Sequence, residues 1–266
     1  MVVSFIRFFF FQEPMKNPLK ARLAAGKPAL GLLLTFPSVP VAQTVARSGF
    51  DWIFIDREHG PIDMATCQAM IAATQGTDCA PIVRVGAIDE ILAKPVLDAG
   101  AFGVIFPMVR TKEEAELAAA SVRYPPVGIR GIGPMIAAVR WDLTVSEYLK
   151  QANREILCIL LIEHIDAVRN IDQILKVKGV DVAQIAPFDL SASMGRTGEL
   201  EHKEVTKAIQ IAERAILKSG IPLGGLGQTT EKAKAMIAKG YRSIVMTSDV
   251  GLLQGAAAAM IGPLRK

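Results

Sequence analysis

Short apolar runs recur along the chain, each about the length of a strand. They are "ALGLLLT" (29–35), "DWIFID" (51–56), "APIVRV" (80–85), "FGVIFPM" (102–108), "ILCILLIE" (156–163), "VDVAQIA" (180–186), "IPLGGLG" (221–227) and "YRSIVM" (241–246). Bounded by turn signals, such runs read as buried strands. The segments between them carry apolar residues at helical spacing, as in "MATCQAMIAATQG", "TKEEAELAAASV" and "KEVTKAIQIAERAILKSG". Gly49, Gly100, Gly220 and Gly240 each close such a segment just before the next strand, where a left-handed C-cap is expected. Eight strand–helix alternations in one chain of 266 residues predict a parallel, closed (β/α)8 TIM barrel in a single α/β domain. An open doubly wound sheet would show a glycine-rich nucleotide turn after its first strand, and "GLLLTFPSVPVAQ" has none. The long stretch from Arg123 to Ile156 must be a structured excursion over one face.

Both ends depart from this rhythm. Residues 1–16 are expected to be an extension outside the core, because the opening apolar stretch is interrupted by Arg7 and is too short to span a bilayer. Gln12, Glu13 and Pro14 follow it in place of a small-residue cleavage site. The barrel domain is expected over 17–266. Its last segment, "DVGLLQGAAAAMIGPL", is apolar nearly all round. Such a helix packs against another chain, which predicts a homo-oligomer.

Composition narrows the function classes. A hydrophobic fraction of 51% with 21% charged residues provides a sizeable core and excludes global disorder. The formal charge is only +4, with Lys and Arg scattered, which argues against nucleic acid as a partner. No segment suggests a membrane span. Cys67, Cys79 and Cys158 form no CxxC or zinc pattern; they read as reduced, buried thiols in a cytoplasmic protein.

In a barrel of this kind the chemistry sits at the carboxyl ends of the strands. Asp56, Arg57, Glu58 and His59 follow the second apolar run, Arg84 lies in the third, Glu163 and His164 end the fifth, and Asp189 follows the sixth. Asp98 ends the helix after the third strand. Adjacent strands are about 4.8 Å apart, so Glu163 and Asp189 can share one divalent cation and leave positions for water and a chelating substrate. The alternative for Asp189 is a helix N-cap. Arg84 suits a carboxylate or enolate oxygen, or else a helix-facing ion pair. His164 and His202 have weaker claims. "GIRGIG" (128–133) lacks the context of a nucleotide turn, and "GGLG" (224–227), where some barrels bind phosphate, lacks a nearby Lys or Arg.

Taken together, "GFDWIFIDREHGP", "PIVRV", "VLDAGAFGVIFPMV", "RYPPVGIRG", "LLIEHIDAV" and "IAPFDLSASMG" resemble the HpcH/HpaI aldolase family from about Asn17 onward. The resemblance implies a class II aldolase that cleaves or forms a C–C bond of a 4-hydroxy-2-oxo acid, with pyruvate or a close analogue as enolate component and an aldehyde as the other partner. It implies a divalent metal (Mg²⁺, Mn²⁺ or Co²⁺) on Glu163 and Asp189. Arg84 would support the keto or enolate oxygen, and His59 with Asp98 would move protons. Asp56 and Glu58 would support the site, Ala186, Pro187, Phe188 and Leu161 would line it, and the assembly would be a hexamer or otherwise built from dimers. Two departures stand out. Phe188 replaces a small residue before the metal Asp, and Leu161 replaces a Gln two residues before the metal Glu. Both imply a more apolar pocket, poor handling of the usual dicarboxylates, and redirected lyase chemistry as the alternative. A non-catalytic barrel that binds a metal or small acid is the rival from another class, and the joint presence of Glu163, Asp189, Arg84 and His59 argues against it.

Overall fold

The computed structural model describes residues 15–265. Eight parallel strands close into one barrel in sequence order: β1 (Ala29–Leu34), β2 (Trp52–Asp56), β3 (Ala80–Arg84), β4 (Gly103–Phe106), β5 (Leu157–Ile162), β6 (Val182–Ile185), β7 (Leu223–Leu226) and β8 (Ser243–Ser248). Each falls within an apolar run of the sequence or overlaps it closely. Gly49, Gly100, Gly220 and Gly240 all have positive φ, from 81° to 107°, a backbone conformation in which a Cβ would be strained.

Side-chain alternation divides the apolar residues into two cores. One parity points inward and fills the barrel with Ala29, Trp52, Phe54, Ile82, Ile159, Leu161 and Val245. The other parity packs against the helices through Ile53, Val83, Val104, Leu160, Ile185 and Ile244. Inward-facing positions at the strand ends therefore open into the mouth, and this parity selects the site. The glycines of β7 serve packing. A Cβ on Gly224 would lie 3.0 Å from Gln184 Cβ and Oε1, and one on Gly225 would lie 2.8 Å from Met236 and Tyr241 atoms.

The excursion after β4 runs through helices Met135–Arg140 and Val145–Glu155 beside the amino end of the barrel. There the Trp141 ring stacks on Phe102, their centroids 3.8 Å apart. Packed chain begins earlier than the expected boundary at residue 17, because Met15 is buried in the helix-side core and its amide donates to Gln151. The rest of the expected extension, residues 1–14, lies outside the described residues. Cys67, Cys79 and Cys158 are free and buried, and burial pushes the thiols of Cys67 and Cys79 up to about 12, where they are inert. Among the described residues no helix is long and apolar enough to cross a membrane.

Candidate active site

β2 and β3 end side by side, with Asp56 and Arg84 in register. Both side chains face inward and are buried. Arg84 donates from Nε to Asp56 Oδ1 at 2.9 Å and from Nη2 to Asp56 Oδ2 at 2.7 Å, a two-pronged pairing that fixes the guanidinium plane. Its remaining nitrogen, Nη1, lies 3.0 Å from Glu58 Oε2. Asp56 Oδ1 also accepts the amides of Glu58 and His59, at 3.0 and 3.3 Å, so the loop folds around this one carboxylate. Arg57 fastens the far side by donating to the Ile62 carbonyl. Gly60 is obligatory, since a Cβ there would come within 2.5 Å of the Asp56 carbonyl. Burial alone would raise the Asp56 carboxyl, but Arg84 and the two amides outweigh it and hold it below its ordinary value.

Glu163 and Asp189 face the same mouth from β5 and β6. Glu163 is almost fully buried, and its Oε1 accepts the Met108 amide at 2.6 Å. Met108 presents that amide from a left-handed conformation, φ 55°, uncommon for a residue with a side chain. Asp189 sits in the first turn of helix Pro187–Ser193, whose N-cap is Ala186. Asp189 thus does not cap the helix, and its carboxylate makes no hydrogen bond or ion pair with another described residue. Burial pushes the Glu163 carboxyl up to about 7, helped by the nearby Asp189 and Glu58 carboxylates and opposed by the Met108 amide and the Arg84 guanidinium. Burial also raises Glu58, against the pull of Arg84.

Four carboxylates thus gather round one guanidinium, and Asp56 with Glu58 already engages it. Glu163 and Asp189 are left as an under-neutralised pair of hard oxygen donors, which fits a divalent cation of the Mg²⁺ type and leaves most of its positions to water and ligand. Beneath them lies a cavity of about 170 Å³ walled by Leu33, Phe54, Leu161, Leu226 and Val245, with Arg84, Gln184 and Asp189 as its charged and amide side chains.

The mouth thus holds a strand-end arginine clamped by acids, a carboxylate pair from adjacent strand ends and a small open cavity. Residues 31–256 match the family profile described as HpcH/HpaI aldolase/citrate lyase. The chain belongs to that family. It is 39% identical to the 4-hydroxy-2-oxo-heptane-1,7-dioate aldolases of Escherichia coli and Klebsiella pneumoniae over 247 residues, covering 92% of this chain and 94% and 93% of theirs. A solved HpcH/HpaI aldolase/citrate lyase family protein from Burkholderia cenocepacia superposes with a TM-score of 0.88 at 32% identity, over 94% of this chain and all of that one. Macrophomate synthase superposes at 0.85 with 26% identity, over 97% of this chain and 91% of that one.

The HpcH/HpaI match spans every candidate site residue of the sequence, and the structure brings most of them together. Asp56, Glu58, Arg84, Glu163 and Asp189 converge. His59 stands at the rim, its side chain 66% exposed and its Nε2 3.9 Å from Glu58 Oε2. Leu161, Ala186, Pro187 and Phe188 line the cavity, with Leu161 on its floor and Phe188 at its edge, 48% exposed. His164 and His202 cap helices through Nδ1.

Two residues are placed differently from the simplest reading of the sequence. Asp98 is not brought to His59 within one chain. Helix Glu90–Asp98 runs back from the carboxyl end of β3, so its last residue lies toward the amino end of the barrel, where Asp98 pairs with the buried Arg130 at 2.7 Å. Nor does the floor lose its amide with Leu161. Gln184 stands beside Leu161 in register on β6 and supplies an amide from the neighbouring strand. Its signal in the sequence is parity, since Gln184 is a polar residue at an inward position of an apolar strand.

Proposed function

We propose that this chain is a divalent-metal-dependent aldolase that breaks or forms the C3–C4 bond of a 4-hydroxy-2-oxo acid, with pyruvate or a close analogue as the enolate component and an aldehyde as the other product. The observation that carries the reading is the Glu163–Asp189 pair, only partly neutralised by an arginine that Asp56 and Glu58 already engage and whose orientation is fixed. Mg²⁺, Mn²⁺ or Co²⁺ held by this pair would supply Lewis-acid stabilisation of the substrate's oxyanion. Arg84 offers a preorganised, largely desolvated guanidinium to the charge that develops on the C2 oxygen as the C–C electron pair moves into the enolate. Asp56 keeps that fork aimed. His59, exposed at the rim, takes the proton of the C4 hydroxyl as the aldehyde C=O forms, and returns it in the condensation direction. Since Asp98 lies toward the other end of its own barrel, it can assist His59 only from a second copy of the chain.

The reading is supported by the family, by relatives named as aldolases and by the charge balance of the mouth. The test is pyruvate release from a panel of 4-hydroxy-2-oxo acids, measured with metal titration for wild type, Glu163→Ala and Asp189→Ala. Both variants should fold and lose at least about a hundredfold in activity, because strand-end ligands contribute little to the core. Full activity in either variant, or in chelator-treated wild type, sinks the metal-dependent mechanism.

A second reading keeps the machinery and changes the substrate. Citrate synthase SbnG, 29% identical with a TM-score of 0.83 over 93% of this chain and 97% of that one, and macrophomate synthase carry names other than aldolase on this fold. Phe188 and Leu161 are the observations in its favour, and the same substrate panel separates the two readings. The buried, free thiols suit a reducing compartment, which supports a cytoplasmic enzyme.

A further inference from the structure

Gln184 has a side chain that the barrel does not explain. It sits inside the barrel on β6, in register with Leu161 on one side and Gly224 on the other. The residue is 5% exposed, yet its Oε1 is enclosed and finds no hydrogen-bond partner. Space for it is built in, because a Cβ on Gly224 would approach both Cβ and Oε1 to 3.0 Å. The same side chain lines the cavity beneath Glu163 and Asp189, whose deeper wall is otherwise apolar. Trp52 Nε1 and Ser243 Oγ are also buried without partners, but neither lines the cavity.

A buried amide without a partner is costly, and its cost is recovered when a ligand supplies the missing hydrogen bond. The charged groups of the site are at the top of the cavity, where Arg84, Glu163 and Asp189 gather. A 2-oxo acid held there by its oxo-acid end turns its far end, C3 and whatever C3 carries, toward the floor. Pyruvate brings a methyl hydrogen, which neither donates nor accepts. A second carboxylate would place a full charge among Leu33, Phe54, Leu161, Leu226 and Val245, without a cation on that wall. A hydroxyl is small, neutral, and able both to donate and to accept, so it satisfies the amide in either of its two orientations.

We infer that Gln184 is a specificity-determining residue that reads the enolate component, selecting a 3-hydroxy-2-oxo acid over one whose C3 carries only carbon or hydrogen. This rests on the aldolase reading above. Because a site built to hydrogen-bond a hydroxyl rejects the analogue that lacks it far more strongly than an apolar site rejects a hydroxyl, the preference should be at least about tenfold.

The experiment compares 3-hydroxypyruvate, its near-isostere 2-oxobutanoate, pyruvate and oxaloacetate on the full chain supplied with Mg²⁺. Affinity is read by calorimetry, and enolate formation by exchange of the C3 protons with D₂O followed by NMR, with no aldehyde present. Wild type should bind 3-hydroxypyruvate at least about tenfold more tightly than 2-oxobutanoate and exchange it faster. Gln184→Met, of similar length but unable to hydrogen-bond in the same way, should bring that ratio close to one. A wild-type ratio near one, or a ratio unchanged in a folded Gln184→Met, overturns the inference and leaves the aldolase reading standing. If the variant does not fold, the wild-type ratio alone decides. Absence of C3 exchange with all four acids overturns the aldolase reading, and this inference with it.

Discussion

At the scale of single residues, the site is governed by how much charge each carboxylate must keep. Glu163 is the sensitive one, its carboxyl pushed up to about 7 by burial and by the carboxylates beside it. A cation can use Glu163 as a ligand only after displacing that proton. Metal affinity should therefore be flat in the alkaline range and fall by roughly tenfold per pH unit as pH drops below about 7. The effect on folding has the opposite sign. A carboxyl that titrates higher folded than unfolded makes the folded state bind more protons between about 4.5 and about 7, so acidification through that window stabilises the metal-free protein. Asp56, held below its ordinary value, contributes stability that is lost only at more acid pH. Mn²⁺ titrations and melting temperatures across this range, on wild type and Glu163→Gln, separate the two effects. An affinity that does not change across the window would show that no proton on Glu163 competes with the cation there, which overturns this coupling. Glu163, Asp189, Arg84 and His59 are legible in the sequence because ionisable residues at the ends of apolar runs have few other reasons to be there. Asp98 is harder to place because it ends a helix rather than a strand, and helices run back toward the opposite end of their own barrel. Gln184 is passed over because one amide in "VDVAQIA" looks like noise until the inward parity is known.

At the scale of elements, all eight strands are legible as apolar runs, while what each glycine does is not. The pair in "GGLG" falls where some barrels bind phosphate, but both glycines lie within β7 and make room for Gln184 and Tyr241. Only neighbours brought in from distant parts of the chain reveal that. Gly31 on β1 shows the same logic most sharply. It pairs with Trp52 of β2, and the Trp52 ring lies so close that a Cβ on Gly31 would fall within 2.6 Å of several ring atoms. Trp52 is fully buried in a barrel interior without slack, so neither the ring nor the strand can retreat cheaply. Gly31→Ala should destabilise the protein by about 1–3 kcal/mol. A urea midpoint indistinguishable from wild type would mean that the interior is looser than this packing implies. Gly31→Ala lies below the mouth, so its metal affinity at saturating fold should change little, which distinguishes a packing fault from a site fault.

At the scale of the whole molecule, one helix leaves its apolar surface uncovered by the described chain. Helix Asp249–Ile261 has a single buried residue, Asp249, whose carboxylate accepts from the Thr35 and Phe36 amides and so pins the first turn to the loop after β1. Beyond it the helix is exposed, with Leu253 at 62%, Met260 at 76% and Leu264, just past its end, at 86%. Beside its root, Leu30, Phe50, Met246 and Leu252 line an open groove on the barrel's outer wall. An apolar helix held only at its base, next to an apolar groove, is the arrangement expected when copies of a chain pack their helices on one another. A second exposed apolar surface, with Ile132, Met135 and Val139, lies on the excursion that also carries Arg130, the partner of Asp98. Association through it would give Asp98 a route to a neighbour's His59. The expected assembly is a homo-oligomer built from dimers, with the C-terminal helix at the dimer contact. Light scattering at micromolar concentration should report a mass at least twice that of the chain. Leu253→Glu combined with Met260→Glu leaves Asp249 and its anchoring bonds in place, so it should dissociate the dimer contact and lower activity without unfolding the barrel. A monodisperse wild-type monomer with full activity would contradict both the assembly and any role for Asp98 in proton transfer, because within one chain that carboxylate belongs to Arg130.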